Sequence, residues 1–503
     1  MSVSALERFL PDEAATGRLG EDLAMALRPG DVLSLKGDLG AGKSTLARAL
    51  IRALADDAGL EVPSPTFTLV QSYELALPVH HFDLYRLADA SELDELGFDE
   101  ALAAGAALVE WPERAAARIP PDALTVELLS QGNGRLARLT GDAATLDRFA
   151  RSLAMRDFLA GAGWGEAVRR RFVGDASARS YETVRLGEEP IRVLMNAPPL
   201  LLGPPVRGGR AYAEIAHTAR DIAAFVAVDK ALAGAGVAVP AIYADDLDRG
   251  FALLEHLGSA SFLDTQGRPV ADRYVAAAQL LAFMHTRRWL RSIEIRPGIE
   301  HRVPPFDRDA MTIEAELLVD WYLPAFTGVP ANEGLRAGFR REWDALINRI
   351  EGGEKTLMLR DFHSPNIVWR DERAGHDRLG ILDFQDALIG PGAYDVASLA
   401  MDARVTVPET IEQDTVAAYV AAREAAGGFD AEKFRETYAI MAAQRNSKIL
   451  GIFVRLDRRD GKPAYLKHLP RIRGYLRRAL AHPALAGLRA FYEAHGVLEE
   501  RAL

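Results

Sequence analysis

The chain has 503 residues, with 60 Lys and Arg against 71 Asp and Glu, so it is too long for one hydrophobic core and, at −11, too acidic overall to bind a polyanion by neutralising phosphates. It has 0 Cys, which excludes disulfides, thiolate metal sites and cysteine nucleophiles. No apolar run approaches the ~18 residues of a membrane span and no basic stretch precedes an apolar core at the start, so a cytoplasmic protein is expected, with no membrane association and no stable direct nucleic-acid binding.

From residue 31 to about 139, short apolar runs alternate with a helical stretch and turn residues, the α/β pattern of a parallel sheet with crossover helices. The segment VLSLKGDLGAGKSTLARALIRAL, 32–54, reads as strand, glycine-rich loop and helix, with Leu46, Leu50 and Leu54 recurring on one face. Gly37, Gly42, Lys43 and Ser44 satisfy GxxxxGK[ST]. In such a P-loop the backbone N–H groups of the whole turn, here including Asp38, Gly40, Ala41 and Thr45, curl around phosphates. The lysine reaches the β/γ-phosphates and the hydroxyl binds Mg²⁺. Only 8 residues of the chain are Lys, so finding Lys43 at that position is informative.

A P-loop also needs acids that hold the metal's water shell and orient the attacking water. HHFDLYRL places Asp83 at a strand end and AALVEW places Glu110 at another, where each could also be an ordinary surface carboxylate. Together GDLGAGKST, SPTF at 64–67, HFDLYRL at 81–87 and VEWPER at 109–114 resemble the small bacterial TsaE-family ATPases of tRNA threonylcarbamoyladenosine synthesis. The resemblance spans about residues 10–140. It implies that Ser44 and Glu110 hold Mg²⁺, that Thr66 and Asp83 lie near the γ-phosphate with Asp83 catalytic, and that Trp111 supports the site. It also implies a protein partner, the complex that transfers the threonylcarbamoyl group.

QGNGRLARLTGDAAT, 131–145, breaks the pattern with Gly, Asn and Thr and places a domain boundary near residue 150. Residues 1–150 are then a P-loop NTPase domain. Residues 151–503 read as a two-lobed, protein-kinase-like α+β domain, with a β-rich lobe over 151–257 and a helical lobe over 258–503.

In the helical lobe, MLRDFHSPNIVW at 358–369 and LGILDFQDALIGPGAYDVASLA at 379–400 set Asp361, Asn366 and Asp383 on loops beside apolar strands. Phosphoryl transfer to a hydroxyl needs such a set: Asp361 as base for the alcohol, Asn366 and Asp383 as metal ligands. The segment resembles the aminoglycoside-phosphotransferase superfamily, in which His363 and Asp395 also recur, Asp395 as a residue that orders the catalytic loop. One part of a kinase is absent: IRVLMNAPP at 191–199 carries Met195 where the ATP-phosphate lysine is expected. Arg192 or Arg179 would supply the charge, or metal and backbone would suffice.

GDASARSY at 174–181, VLMNAPP at 193–199, FALLEHLG at 251–258 and the segment 444–471 resemble the anomeric amino-sugar kinases of cell-wall recycling, in which the lysine strand is usually substituted. This implies ATP-dependent phosphorylation of the C1 hydroxyl of N-acetylmuramate or N-acetylglucosamine. The stretch 444–471 is basic, with Arg445, Lys448, Arg455, Arg458, Arg459, Lys462, Lys467 and Arg471. It is either a solvated face or a source of ligands for an acidic sugar or for phosphates. The expected cofactors are ATP and Mg²⁺, and the expected whole is a bifunctional enzyme; the competing reading makes the rear domain a nucleotide-binding scaffold.

Overall fold

The computed structural model describes residues 5–172 and 179–500, so residues 174–178 of the GDASARSY segment lie outside the described residues. The chain divides into two compact units, residues 1–197 with 242–255, and residues 198–241 with 256–503.

The first unit begins with a seven-stranded sheet in the order β1-β7-β6-β2-β5-β4-β3. Its strands are β1 (Ala5–Leu10), β2 (Val32–Lys36), β3 (Val70–Tyr73), β4 (Val79–Asp83), β5 (Ala106–Glu110), β6 (Leu124–Gln131) and β7 (Gly134–Thr140). β2, β4, β5 and β6 form the parallel centre, and β1, β3 and β7 add antiparallel edges. The central strands read as nearly continuous apolar runs because both their faces are covered. Helices α1 (Glu13–Ala26) and α2 (Lys43–Ala55) pack on one face through Leu19, Leu23, Leu46 and Leu50; the short α3 (Glu92–Glu95) and α4 (Phe98–Ala104) close the other around Phe82 and Phe98. The two long helices touch at Gly20, where a Cβ would lie 2.7 Å from the Leu46 carbonyl oxygen.

The stretch 131–145 is not a linker. Its Gly132 makes the tight turn between β6 and β7, and Asp142 caps the next helix, α5 (Ala143–Gly161), accepting from the Ala144 N–H at 2.9 Å. Residue 150 therefore falls inside a helix, and turn residues that read as a boundary belong to a hairpin and an N-cap.

Beyond α5 lies a five-stranded antiparallel sheet in the order β13-β14-β10-β9-β8. It comprises β8 (Val168–Phe172), β9 (Ser180–Arg185), β10 (Arg192–Asn196), β13 (Ile242–Asp246) and β14 (Phe251–Glu255). Phe158, Leu159 and Trp164 pack against Leu194, Phe251 and Leu253. The opposite side of α5 meets α1, so the two sheets belong to one body. Their junction is ionic: Arg156 donates to Asp22 at 2.9 Å and Glu21 at 2.6 Å, and the fully buried Arg169 bridges Asp22 at 2.8 Å and Glu182 at 2.7 Å. Buried charges are tolerated here because each guanidinium meets carboxylates and carbonyls that satisfy it. Arg171 adds hydrogen bonds to the Ala24 and Leu27 carbonyls at the end of α1.

The second unit holds the hairpin of β11 (Pro205–Arg207) and β12 (Arg210–Ala211), then α6 (Tyr212–Ile215) and α7 (Ile222–Gly234). The expected β-rich lobe is thus shared between the units, because 198–241 packs with the helical part. From α8 (Ala271–His285) onward the unit is mostly helical and includes the 30-residue helix Ala431–Asp460. Set among these helices are three two-stranded antiparallel sheets: β15 (Ser292–Arg296) with β16 (Ile299–Arg302), β17 (Thr356–Met358) with β20 (Leu388–Gly390), and β18 (Ile367–Trp369) with β19 (Leu379–Ile381). Among the described residues no helix is long and apolar enough to cross a membrane.

Candidate active sites

In the first unit the glycine-rich loop lies between the end of β2 and the start of α2. Gly42, at φ 104°, holds the left-handed turn from which Lys43 begins the helix. Gly37 approaches β6 so closely that a Cβ would stand 2.7 Å from the Leu128 carbonyl oxygen. Lys43 Nζ donates to the carbonyls of Gly37 at 2.7 Å and Asp38 at 2.9 Å, and lies 3.8 Å above the Trp111 ring. Burial lowers the lysine's pKa, opposed by Glu110, Glu113, Asp83 and Asp38.

Asp83 and Glu110 are register partners at the carboxyl ends of the parallel strands β4 and β5. Ser44 Oγ donates to Glu110 at 3.0 Å, and the other Glu110 oxygen meets His81 Nε2 at 2.9 Å. Asp83 accepts from Ser64 and Thr66 hydroxyls, each at 3.0 Å, and from the Tyr85 N–H at 3.1 Å. Trp111 adopts φ 58°, a left-handed conformation costly for a bulky residue, and its ring tilts against Tyr85 at 5.1 Å. All of these groups except the buried His81, together with Gly40, Gly42, Thr45 and Arg135, line one cavity of about 330 Å³. Ala41 donates its N–H to the Asp38 carbonyl within the loop.

His81 and Arg135 escaped the sequence reading. A lone His inside an apolar strand is more often plain core, and Arg135 sits on β7, in the stretch that read as the approach to a domain boundary. The signal for His81 was its parity with Asp83 on β4, which sends both side chains to one face.

In the second unit the loop between β17 and β18 carries Asp361 and Asn366, and Asp383 follows β19. Asn366 Nδ2 donates to the Asp361 carbonyl at 2.9 Å and lies 3.3 Å from Asp383 Oδ2, so the three residues converge. No described group hydrogen-bonds the Asp361 carboxylate. Arg360 and Asp383 take left-handed φ of 69° and 57°. Buried Asp395 accepts from the Leu359 N–H at 2.6 Å and the Arg360 N–H at 2.9 Å. Asp402, also buried, accepts from the Ser364 N–H at 2.9 Å and hydroxyl at 2.6 Å; His363 lies 4.0 Å from it. Arg360 also pairs with Glu314, which Lys448 meets at 2.7 Å. Burial alone would raise Glu314, but Lys448 and Arg360 outweigh it and hold the carboxyl at about 2. Phe384 stacks on Phe225 of α7 at 5.0 Å.

The lysine question is answered against Arg192. Its guanidinium lies between the Trp164 and Tyr243 rings, at 4.1 and 3.8 Å. Residues three apart on a strand face opposite sides, so Arg192 and the buried Met195 serve different faces of β10. Arg179 stands half-buried just before β9. The basic stretch 444–471 is mostly committed elsewhere: Arg445 donates to the Met401 carbonyl, Lys448 holds Glu314, Arg455 covers Tyr212, and Arg459 meets Asp460.

Two families match the chain. The one described as "Threonylcarbamoyl adenosine biosynthesis protein TsaE" matches residues 10–138, and the "Phosphotransferase enzyme family" matches residues 161–436. The N-acetylmuramate/N-acetylglucosamine kinase of Caulobacter vibrioides is 32% identical over 362 residues, covering 70% of this chain and 98% of that protein. Its namesake in Pseudomonas aeruginosa is 33% identical over 337 residues, covering 65% and 89%. The TsaE of Rickettsia conorii is 38% identical over 127 residues, covering 25% of this chain and 72% of that protein.

The chain belongs to both families. The P-loop site lies within the TsaE segment, and the loops bearing Asp361 and Asp383 lie within the phosphotransferase segment. The chain is therefore an ATP-using enzyme, and the ionic junction around Arg169 joins Asp22 of the first matched segment to residues of the second.

Proposed function

We propose that the chain is bifunctional. The TsaE segment hydrolyses ATP in support of tRNA threonylcarbamoyladenosine formation, acting with the complex that transfers the threonylcarbamoyl group. The phosphotransferase segment moves the γ-phosphoryl group of ATP onto the C1 hydroxyl of an amino sugar, N-acetylmuramate or N-acetylglucosamine, in the recycling of cell-wall sugars. Both activities belong to the cytoplasm, where ATP and tRNA are found.

The observation that carries the rear assignment is the convergence of Asp361, Asn366 and Asp383, with the Asp361 carboxylate bare of hydrogen bonds. Asp361 accepts the proton of the sugar hydroxyl as the C1 oxygen bonds to the γ-phosphorus. The bond from that phosphorus to the β–γ bridging oxygen breaks and ADP leaves. In the front site Lys43 and the loop N–H groups bind the phosphates, and Asp83 orients the attacking water with Thr66 beside it.

Each site presents the hard oxygen donors that Mg²⁺ prefers: Ser44 Oγ and Glu110 Oε2 lie 3.0 Å apart in the front, and Asn366 and Asp383 adjoin in the rear. The donors fit, so Ser44 and Glu110 would hold one ion and Asn366 with Asp383 the other. Mg²⁺ so bound would neutralise charge on the phosphate oxygens. His81 keeps Glu110 aimed at that position.

The missing lysine at Met195 admits a second reading, a rear scaffold that binds nucleotide without turnover, although the amino-sugar kinases that the segment resembles usually lack that lysine as well. Incubating the full-length protein with ATP and each sugar, and measuring ADP release with phosphorus NMR of the product, separates the two. Transfer yields an acid-labile anomeric phosphate. ATP binding without transfer to either sugar would establish the scaffold instead, and an acid-stable C6 phosphate would keep the kinase but reject the C1 assignment.

A further inference from the structure

The second unit contains a cavity of about 780 Å³ that neither set of phosphate-handling residues occupies. It opens between the segment 263–270 and the loop 404–408, and its charged lining is Asp264, Arg268, Arg404 and Arg471. Asp264 is already used by Arg268, whose guanidinium donates to it at 2.9 Å. Arg471 is different. It donates to the Thr406 hydroxyl at 2.8 Å and the Ala403 carbonyl at 2.9 Å, and no described carboxylate pairs with it. These two bonds fix the guanidinium on the cavity wall while leaving its charge uncompensated.

Further charge of the same sign lies close by. Burial lowers the basicity of His468, and Arg471, Lys467 and Arg404 lower it further, against Asp402 alone. Asp402 is fully engaged. One of its oxygens accepts from Ser364, and the other accepts from the Arg404 N–H at 2.7 Å and the Val405 N–H at 3.2 Å. A single buried carboxylate therefore ties the arginine-bearing loop to the catalytic loop, at a residue three positions beyond Asp361. The guanidinium charge of Arg471, held rigidly on the cavity wall beside a loop tied to the catalytic loop, suits a substrate that carries an anion of its own, because guanidinium groups bind planar carboxylates through paired N–H donors.

We propose that this cavity receives the carboxylate of an acidic amino sugar, with Arg471 and Arg404 as the residues that distinguish it from a neutral sugar. N-acetylmuramate carries such a carboxylate on its lactyl ether and N-acetylglucosamine does not. The inference rests on the sugar-kinase reading above, and extends it by assigning the recognition of the acid to two named arginines. Of the basic residues in 444–471, Arg471 is the one that lines the cavity.

The test compares kcat/KM for N-acetylmuramate with that for N-acetylglucosamine in full-length wild type, R471M, R471K and R404M at fixed ATP. In R471M the ratio falls roughly 10–100-fold, mainly through KM for the acidic sugar, as expected for the loss of a charge-assisted pair. R471K retains the charge without the paired donors and lowers the ratio by less. R404M lowers it in the same sense, and carries the test if R471M fails to fold. A ratio unchanged in both methionine variants, with both sugars falling in parallel or neither falling, overturns the assignment while the kinase reading stands. Wild-type protein active on neither sugar overturns the kinase reading, and this inference with it.

Discussion

In the front site the acids are held by side chains that a nucleotide can displace: Glu110 by Ser44 and His81, Asp83 by Ser64 and Thr66. In the rear site the holding groups are buried carboxylates that grip backbone, Asp395 at residues 359–360 and Asp402 at residue 364. The Asp361 carboxylate is left bare. On the proposed reading, Ser44 would give up its hydrogen bond to Glu110 when phosphates and metal arrive. Asp361, the proposed rear base, would have no such partner to give up before meeting a hydroxyl. The two sites hold their acids by opposite means, so they should fail differently when mutated.

The largest effect is expected at the base. Asp361→Asn keeps the size of the side chain but loses the proton acceptor, so kcat for sugar phosphorylation should fall about 10²–10⁴-fold with KM for ATP little changed. A comparable fall in ATP affinity would show that Asp361 works through the nucleotide and not the hydroxyl. Next comes Lys43→Ala, which removes the front phosphate ligand. ATP hydrolysis with the partner complex should fall on the order of 10²-fold, the sort of loss that follows removal of a charge-stabilising donor. Equal loss of sugar phosphorylation in this variant would mean that the two sites do not work separately.

His81→Ala tests whether the front acid is held as described. Groups that orient a metal ligand typically alter affinity or activity 10–100-fold, so a Mg²⁺ titration of the front ATPase should shift to higher concentration by about tenfold. An unshifted titration would make His81 a packing residue only. The smallest catalytic effect, with a sizeable effect on stability, is expected at the junction. Arg169→Leu strands Glu182 in a buried site and leaves Asp22 to Arg156 alone, and breaking such a pair costs about 3–5 kcal/mol. Chemical denaturation should show the loss, while the unfolding of both sheets remains a single transition because α5 serves both.

The sequence displays the P-loop and the Asp361–Asn366 loop openly because their chemistry requires contiguous residues at fixed spacing. Asp395 is visible through the family resemblance. What stays hidden depends on tertiary neighbours. His81 becomes meaningful only when β4 lies beside β5, Asp402 only when its loop folds back onto Ser364, and Arg471 only when its helix brings it to Thr406. Arg192 misled because a strand's two faces were not distinguished, and residue 150 misled because a hairpin turn and a helix cap use the same residues as a linker. The junction of α1 with β8 joins residues nearly 150 positions apart and leaves no local trace in the sequence.

The central claim, that one chain carries two separate ATP-using sites of different chemistry, is tested most directly by phosphorus NMR of amino sugar incubated with ATP and either the K43A or the D361N full-length protein. The account predicts an acid-labile anomeric phosphate with K43A and essentially none with D361N. Loss of that product in the folded K43A protein, or its undiminished formation by D361N, would contradict the account.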